Sequence, residues 1–183
     1  MILIITGIPG TGKTTVMNKV IEKYPLKFVT FGTVMFEIAK KKTLVSNRDE
    51  LRKLSSSIQR DIQELTAVKI KKMADVCVDT HCTIKTKSGY LPGLPESVLK
   101  KLSPDVIILV EATPEEIIQR RSRDTRARDV DDTDDILEHQ LFNRIAAMSY
   151  AVMSGATVKI IQNSENMLKE AAADILDILK GED

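Results

Sequence analysis

Apolar positions along the chain fall into two rhythms. Short unbroken runs at residues 1–6 (MILIIT), 27–31 (KFVTF with its neighbours), 75–79 (DVCVD), 105–111 (DVIILVE) and 157–161 (TVKII) suit strands buried on both faces of a parallel sheet. Between them apolar residues recur every three or four positions. The clearest case is Leu51, Leu54, Ile58, Ile62, Leu65 and Val68, which predicts a long amphipathic helix within residues 48–73, with the serines at 55–57 as a candidate break. Further helices are predicted over 13–23, 33–40, 96–101, 134–153 and 165–179. At Thr113-Pro114-Glu115-Glu116 the start signal has a mechanism: Thr113 caps, Pro114 suits the first helical position, and Glu116 reaches back to the cap. Five strands alternating with helices predict an α/β fold, and 183 residues suit one domain.

The first strand runs directly into Gly7-Ile8-Pro9-Gly10-Thr11-Gly12-Lys13-Thr14-Thr15, which fits the pattern G-x-x-x-x-G-K-[ST] between a strand and a helix. Glycines let successive N–H groups turn inward around phosphate oxygens, and the following helix turns its unpaired donors and positive dipole end to the same anion. Lys13 is expected on the β and γ phosphates of a nucleoside triphosphate and Thr14 on magnesium. The same element serves kinases, switches and motors, so by itself it fixes a donor and leaves the acceptor open. Asp79 closes an apolar strand at the carboxyl edge of the sheet, where it can hold Mg²⁺. Glu111 also follows a strand but opens a capping segment and ranks below it.

Charge changes the picture in one place. The 27 basic and 26 acidic residues leave a net charge of +1, which excludes a global field for nucleic acid or an anionic membrane. Yet five arginines crowd residues 120–128 (RRSRDTRAR), and Arg144 follows on the next helix. Guanidinium groups pair well with phosphate oxygens, and phosphoryl transfer between two anions needs positive charge that closes over both. The aspartates at 124, 129, 131, 132, 134 and 135 also allow a plain solvated charge run. Cys77 and Cys82 have neither zinc spacing nor disulfide density and are read as reduced thiols. No apolar run is long enough to cross a bilayer, so a cytoplasmic location is expected.

Taken together, GIPGTGKTT at Gly7, TFGTVMFEIA at Thr30, RDELRKL at Arg48, VDTHCTIKTKSGYLPGLP at Val78, RRSRDTRARD at Arg120 and EHQLFNRIAAMSYAVMSGATVKIIQN at Glu138 resemble the archaeal type of adenylate kinase over nearly the whole chain. The resemblance implies a three-layer, doubly wound sheet of the phosphate-loop kinase type, with five parallel strands in the order 2-3-1-4-5. It also implies an acceptor-binding helical arm at about 32–73, a short lid at about 120–133, and conversion of MgATP and AMP to two ADP. Carried over by position, Gly32, Thr33 and Met35 border AMP, with Arg48 and Arg52 on the arm and His81 and Lys85 on the acceptor border. Arg120 lies by the ATP, and Arg126, Arg128 and Arg144 clamp phosphates. A homo-oligomer, often a trimer in that family, is a further implication of the resemblance. One departure stands out: bacterial adenylate kinases carry an arginine where this chain has Phe36, so other cations must hold the AMP phosphate. The lid lacks the four cysteines of a zinc-bearing variant, so no structural metal is expected. Two alternatives stay open on the residues, a kinase for another nucleoside monophosphate and an adenylate-kinase-like assembly ATPase of ribosome maturation.

Overall fold

The computed structural model describes residues 1–123 and 132–181. Five parallel strands form the central sheet: β1 (Ile2–Thr6), β2 (Lys27–Thr30), β3 (Val76–Asp79), β6 (Val106–Glu111) and β7 (Thr157–Gln162). They lie in the order β2-β3-β1-β6-β7, which is 2-3-1-4-5 when only these strands are counted. The register sets Ile5 beside Asp79 and Ile108. The end of β1 therefore opens toward the carboxyl ends of both its neighbours, the crevice where open α/β sheets bind ligands. All five residues of β1 are buried, as expected of a central strand covered on both sides.

Helices cover both faces. One layer packs Leu3, Ile5, Cys77 and Ile108 against Val16, Met17 and Val20 of α1 (Lys13–Ile21) and Ala172, Ile175 and Leu176 of α7 (Leu168–Lys180). The other packs Ile4, Val78 and Ile107 against α2 (Phe31–Lys41), α3 (Ser56–Lys71), α4 (Glu96–Leu102) and α6 (Thr133–Ser154). Helix α5 (Pro114–Ser122) carries the expected capping box in full, with Thr113 Oγ1 accepting from Glu116 N and the Glu116 carboxylate accepting from Thr113 N.

The candidate break at the serines of 55–57 is present: the helix expected over 48–73 is two elements, a 3₁₀ helix (Arg48–Lys53) and α3. Ser55 separates them, because its Oγ accepts from Ile58 N and caps the second. Phe31 belongs to α2 rather than to the preceding strand. The stretch after Cys82 forms an antiparallel hairpin, β4 (Thr83–Thr86) with β5 (Gly89–Pro92), and Cys82 itself is buried. The hairpin is held by α6. Asn143 Oδ1 accepts from Thr83 N and Thr83 Oγ1 at 3.1 and 2.6 Å, Tyr150 OH donates to Cys82 O, and Tyr90 stacks on Phe142 with centroids 4.4 Å apart. Among the described residues no helix is long and apolar enough to cross a membrane.

Candidate active site

The site begins where β1 stops. Gly7 adopts φ +146°, and a Cβ there would stand 2.3 Å from the carbonyl oxygen of Val110 on β6, so only glycine lets the chain leave the sheet this tightly. Gly12, at φ 85°, is the N-cap of α1 and supplies no side-chain bond. The first turn of α1 holds no acidic residue, so the positive end of its dipole is available to an anion. Lys13 folds back over the loop, with Nζ donating to Gly7 O at 2.7 Å and to Ile8 O at 3.4 Å.

These groups line a cleft of about 520 Å³. Pro9, Gly10, Gly12, Lys13, Thr14 and Thr15 form its floor, Asp79, Thr80 and His81 follow from β3, and Arg120 enters from α5. Thr30, Gly32 and Arg48 close the side facing the helical arm. Arg48 is brought in by the 3₁₀ helix, whose cap, Asn47, accepts from Glu50 N while Glu50 accepts from Ser46 N. Its guanidinium donates to Thr33 Oγ1 at 3.3 Å and stands 3.0 Å from where a Cβ on Gly32 would lie. A cation is thereby held at the opening turn of α2, across the cleft from the phosphate loop.

Electrostatics tie the centre together. Asp79 is half-buried, and that desolvation raises its pKa against the opposing pull of Lys13 and His81. His81 lines the cleft; desolvation lowers its pKa, Lys13 lowers it further, and Asp79 opposes both. A carboxylate that is costly to leave charged, a lysine and an imidazole thus share one electrostatic unit beside the loop.

Of the residues expected in the site, Gly10, Gly12, Lys13, Thr14, Thr15, Pro9, Gly32, Arg48, Asp79, His81 and Arg120 meet in this cleft. Gly7, Ile8 and Thr11 shape the loop from behind, Ile8 and Thr11 both buried. Five others do not line the cleft. Thr33 stands beside it, its Oγ1 accepting from Arg48. Met35 packs with Phe36, Leu51 and Ile62 in the apolar centre of the arm. Arg52 lies on the 3₁₀ helix, where its carbonyl accepts from Gln59. Lys85, on the hairpin, pairs with Asp135 at 2.6 Å. Arg144 forms a two-pronged pair with the buried Glu111, Nε to Oε1 at 2.8 Å and Nη2 to Oε2 at 2.5 Å; this bond turns it onto the sheet edge and raises its own pKa. The pairing also occupies Glu111, the lesser metal candidate. Arg126 and Arg128 lie outside the described residues, as does most of the expected lid.

Sequence reasoning missed two residues. Asn163 directly follows β7, is buried, and its Nδ2 donates to Thr11 O at 2.8 Å. Arg121 Nε donates to Pro9 O at 2.8 Å. Asn163 had a signal, being the first residue past the carboxyl end of an apolar strand, where ligand crevices form. Arg121 was hidden among its arginine neighbours.

A family model described as an AAA domain matches residues 6–137. Adenylate kinase of Methanocaldococcus jannaschii is 53% identical, with 98% of each chain covered. Those of Thermoplasma acidophilum and Methanopyrus kandleri are 51% and 50% identical over 96% and 98% of this chain and 97% of each relative. Among solved structures, shikimate kinase from Acinetobacter baumannii superposes with a TM-score of 0.60 at 15% identity, covering 98% of this chain and 93% of that one. Shikimate kinase from Aquifex aeolicus reaches 0.56 at 18% identity, covering 99% and 97%; at such identities the likeness speaks to fold alone. With the phosphate loop, the five-stranded order and near-complete coverage by relatives of about half-identical sequence, the chain belongs to the adenylate kinase family of phosphate-loop phosphotransferases.

Proposed function

We propose that the chain transfers the γ-phosphoryl group of ATP, bound with Mg²⁺, to AMP, yielding two ADP. The observation that carries this reading is the placing of two anion-binding poles in one cleft, the loop with Lys13 on one side and Arg48 at the start of α2 on the other. An ATPase without an acceptor has no use for the second pole. Gly32 and Thr33 would border AMP beneath Arg48, with His81 between the poles. Arg48 takes the duty that Phe36, packed in the arm, does not perform.

The donors available fit a magnesium ion: the Thr14 hydroxyl and the Asp79 carboxylate are hard oxygen ligands, and Mg²⁺ is held by one or two such groups together with substrate phosphates and water. When bound, it would neutralise charge on the phosphates being separated. The protein's share is to grip the triphosphate with inward N–H groups and Lys13, hold the acceptor in line, and exclude water. Arg120, Arg126 and Arg128 would add charge on the lid side. Arg144 would join them by exchanging Glu111 for phosphate oxygens.

The test is ADP formation from ATP across a panel of nucleoside monophosphates. AMP should be the preferred acceptor; preference for a pyrimidine would reassign the base, and turnover without any monophosphate would favour the assembly-ATPase alternative.

We further propose that the chain works in the cytoplasm as a homo-oligomer built on α6. Leu137, Leu141, Ile145, Met148 and Val152 recur every three or four residues and are all exposed, Val152 by 84%. From Ile145 to Ser154 this helix carries no charge, and such a stripe repays burial against its own copy. Sedimentation should show an assembly that Val152→Glu dissociates; a monomeric parent chain would end the idea.

A further inference from the structure

The phosphate loop is gripped from outside by two residues that do not line the cleft, Arg121 and Asn163. Arg121 Nε donates to Pro9 O at 2.8 Å, and Asn163 Nδ2 donates to Thr11 O at 2.8 Å. Arg120 adds Nη1 to the same Thr11 carbonyl at 3.4 Å, and its Nη2 holds Asn163 O at 2.8 Å. Asn163 is fixed in turn, its N–H donating to Glu111 O at the end of β6 at 2.8 Å.

The two gripped carbonyls are two residues apart, and stereochemistry gives that spacing its meaning. Both peptides are trans. In a planar trans peptide the C=O of one residue and the N–H of the next point in opposite directions. Anchoring Pro9 O to Arg121 therefore turns Gly10 N–H the other way, and anchoring Thr11 O to Asn163 does the same for Gly12 N–H. Gly10 and Gly12 are the glycines that line the cleft. Each is flanked by a hold that a side chain would disturb: a Cβ on Gly12 would stand 2.4 Å from Asn163 Nδ2, and one on Gly10 would stand 3.2 Å from Arg121 Cγ.

We propose that Arg121 and Asn163 are positioning residues of the donor site, which fix the N–H groups of Gly10 and Gly12 toward the triphosphate by holding the carbonyls of the same peptide planes. On the loop itself Arg121 then acts through the hydrogen bond of its Nε to Pro9 O, although it belongs to an arginine-rich segment. This rests on the loop binding a nucleoside triphosphate, not on which acceptor is used.

The two modes separate cleanly at Arg121. Glutamine carries its Nε2 the same number of bonds from the backbone as the arginine Nε, so Arg121→Gln keeps the donor and removes the charge, while Arg121→Met removes both at similar length. Binding of MgATP to the full chain, titrated without AMP, should be within about threefold of the parent for Arg121→Gln and about tenfold weaker for Arg121→Met, the factor that one hydrogen bond supplies. Asn163→Leu should weaken MgATP about tenfold, and Asn163→Asp, which sets a carboxylate against the Thr11 carbonyl, by more. In ¹⁵N spectra Arg121→Met should shift the Gly10 amide and Asn163→Leu the Gly12 amide, while the melting temperature of Arg121→Met stays within a few degrees of the parent. If Asn163→Leu does not fold, the Arg121 pair decides alone. Equal losses in Arg121→Gln and Arg121→Met, or no loss in either, would overturn the proposal. So would an AMP affinity that falls in parallel with that for MgATP.

Discussion

The two sides of the cleft are built in different ways. The donor side is pinned. Its loop leaves a strand buried along its whole length, enters a helix packed on the sheet, and has carbonyls at Gly7, Pro9 and Thr11 held by Lys13, Arg121 and Asn163. The acceptor side stands on the arm of α2, the 3₁₀ helix and α3, with a separate apolar centre of Ala39, Val45, Leu51 and Ile62. The polar ties around its cation are exposed ones, Arg48 to Thr33, Lys69 to Glu37 and the Glu50 contacts at the cap. Exposed pairs stabilise little, about 0–1 kcal/mol each. The donor pole is thus preorganised, whereas the acceptor pole stands where α2, packed on the sheet through Phe31 and Val34, meets an arm with an apolar centre of its own, an arrangement that suits a part closing over a second substrate.

The sharpest way to break this comparison is to remove a pole. Lys13→Ala should lower turnover by about 10³-fold or more, the scale of cationic contacts in phosphoryl transfer, with the melting temperature nearly unchanged; rapid-quench or coupled assays of ADP formation check it. The next effect is on stability. Ile5 is fully buried in the sheet, so Ile5→Ala should cost about 2–5 kcal/mol of global stability by denaturant titration. Leu51→Ala, in the separate centre of the arm, should instead be felt first as faster amide exchange across residues 31–71. A smaller, selective effect is expected at Arg48. Arg48→Ala should raise KM for AMP about tenfold and leave KM for MgATP within about twofold, as loss of one charge-assisted contact would.

The smallest effect is electrostatic, and its sign is definite. Burial raises the pKa of Asp79 in the folded chain, so the folded state takes up its proton more readily than the unfolded one. The stability this group confers is fully present below its ordinary value of 3.8 and is lost as pH rises through the raised folded value. Asp79→Asn should therefore raise the melting temperature at neutral pH and flatten its dependence on pH above 4, while weakening Mg²⁺-dependent turnover. A lower melting temperature would contradict the burial argument.

How much of this was legible in the sequence follows from where each interaction lies along the chain. The strands, the donor loop and the Thr113 capping box depend on neighbours within a few residues, and their patterns carry them. The hairpin at 83–92 does not. Its residues are largely exposed, and what fixes it are Asn143 and Tyr150, some sixty residues away. The pairing of Arg144 on α6 with Glu111 on β6 was hidden for the same reason, because the two lie 33 positions apart. Asn163 and Thr11 are 152 positions apart, a separation that no local pattern records. Arg48 was reachable only through the family resemblance, since nothing near it says that Gly32 would leave room for its guanidinium.

The central claim, that one cleft holds two nucleotides at opposed poles, is tested most directly by calorimetric titration with a compound that joins two adenosines through a polyphosphate bridge. Linking the two ligands makes the second contact intramolecular. It should therefore bind once per chain, at least about a hundredfold more tightly than either ATP or AMP, and lose affinity in both Lys13→Ala and Arg48→Ala. Binding no tighter than ATP alone, or unaffected by Arg48→Ala, would contradict the account.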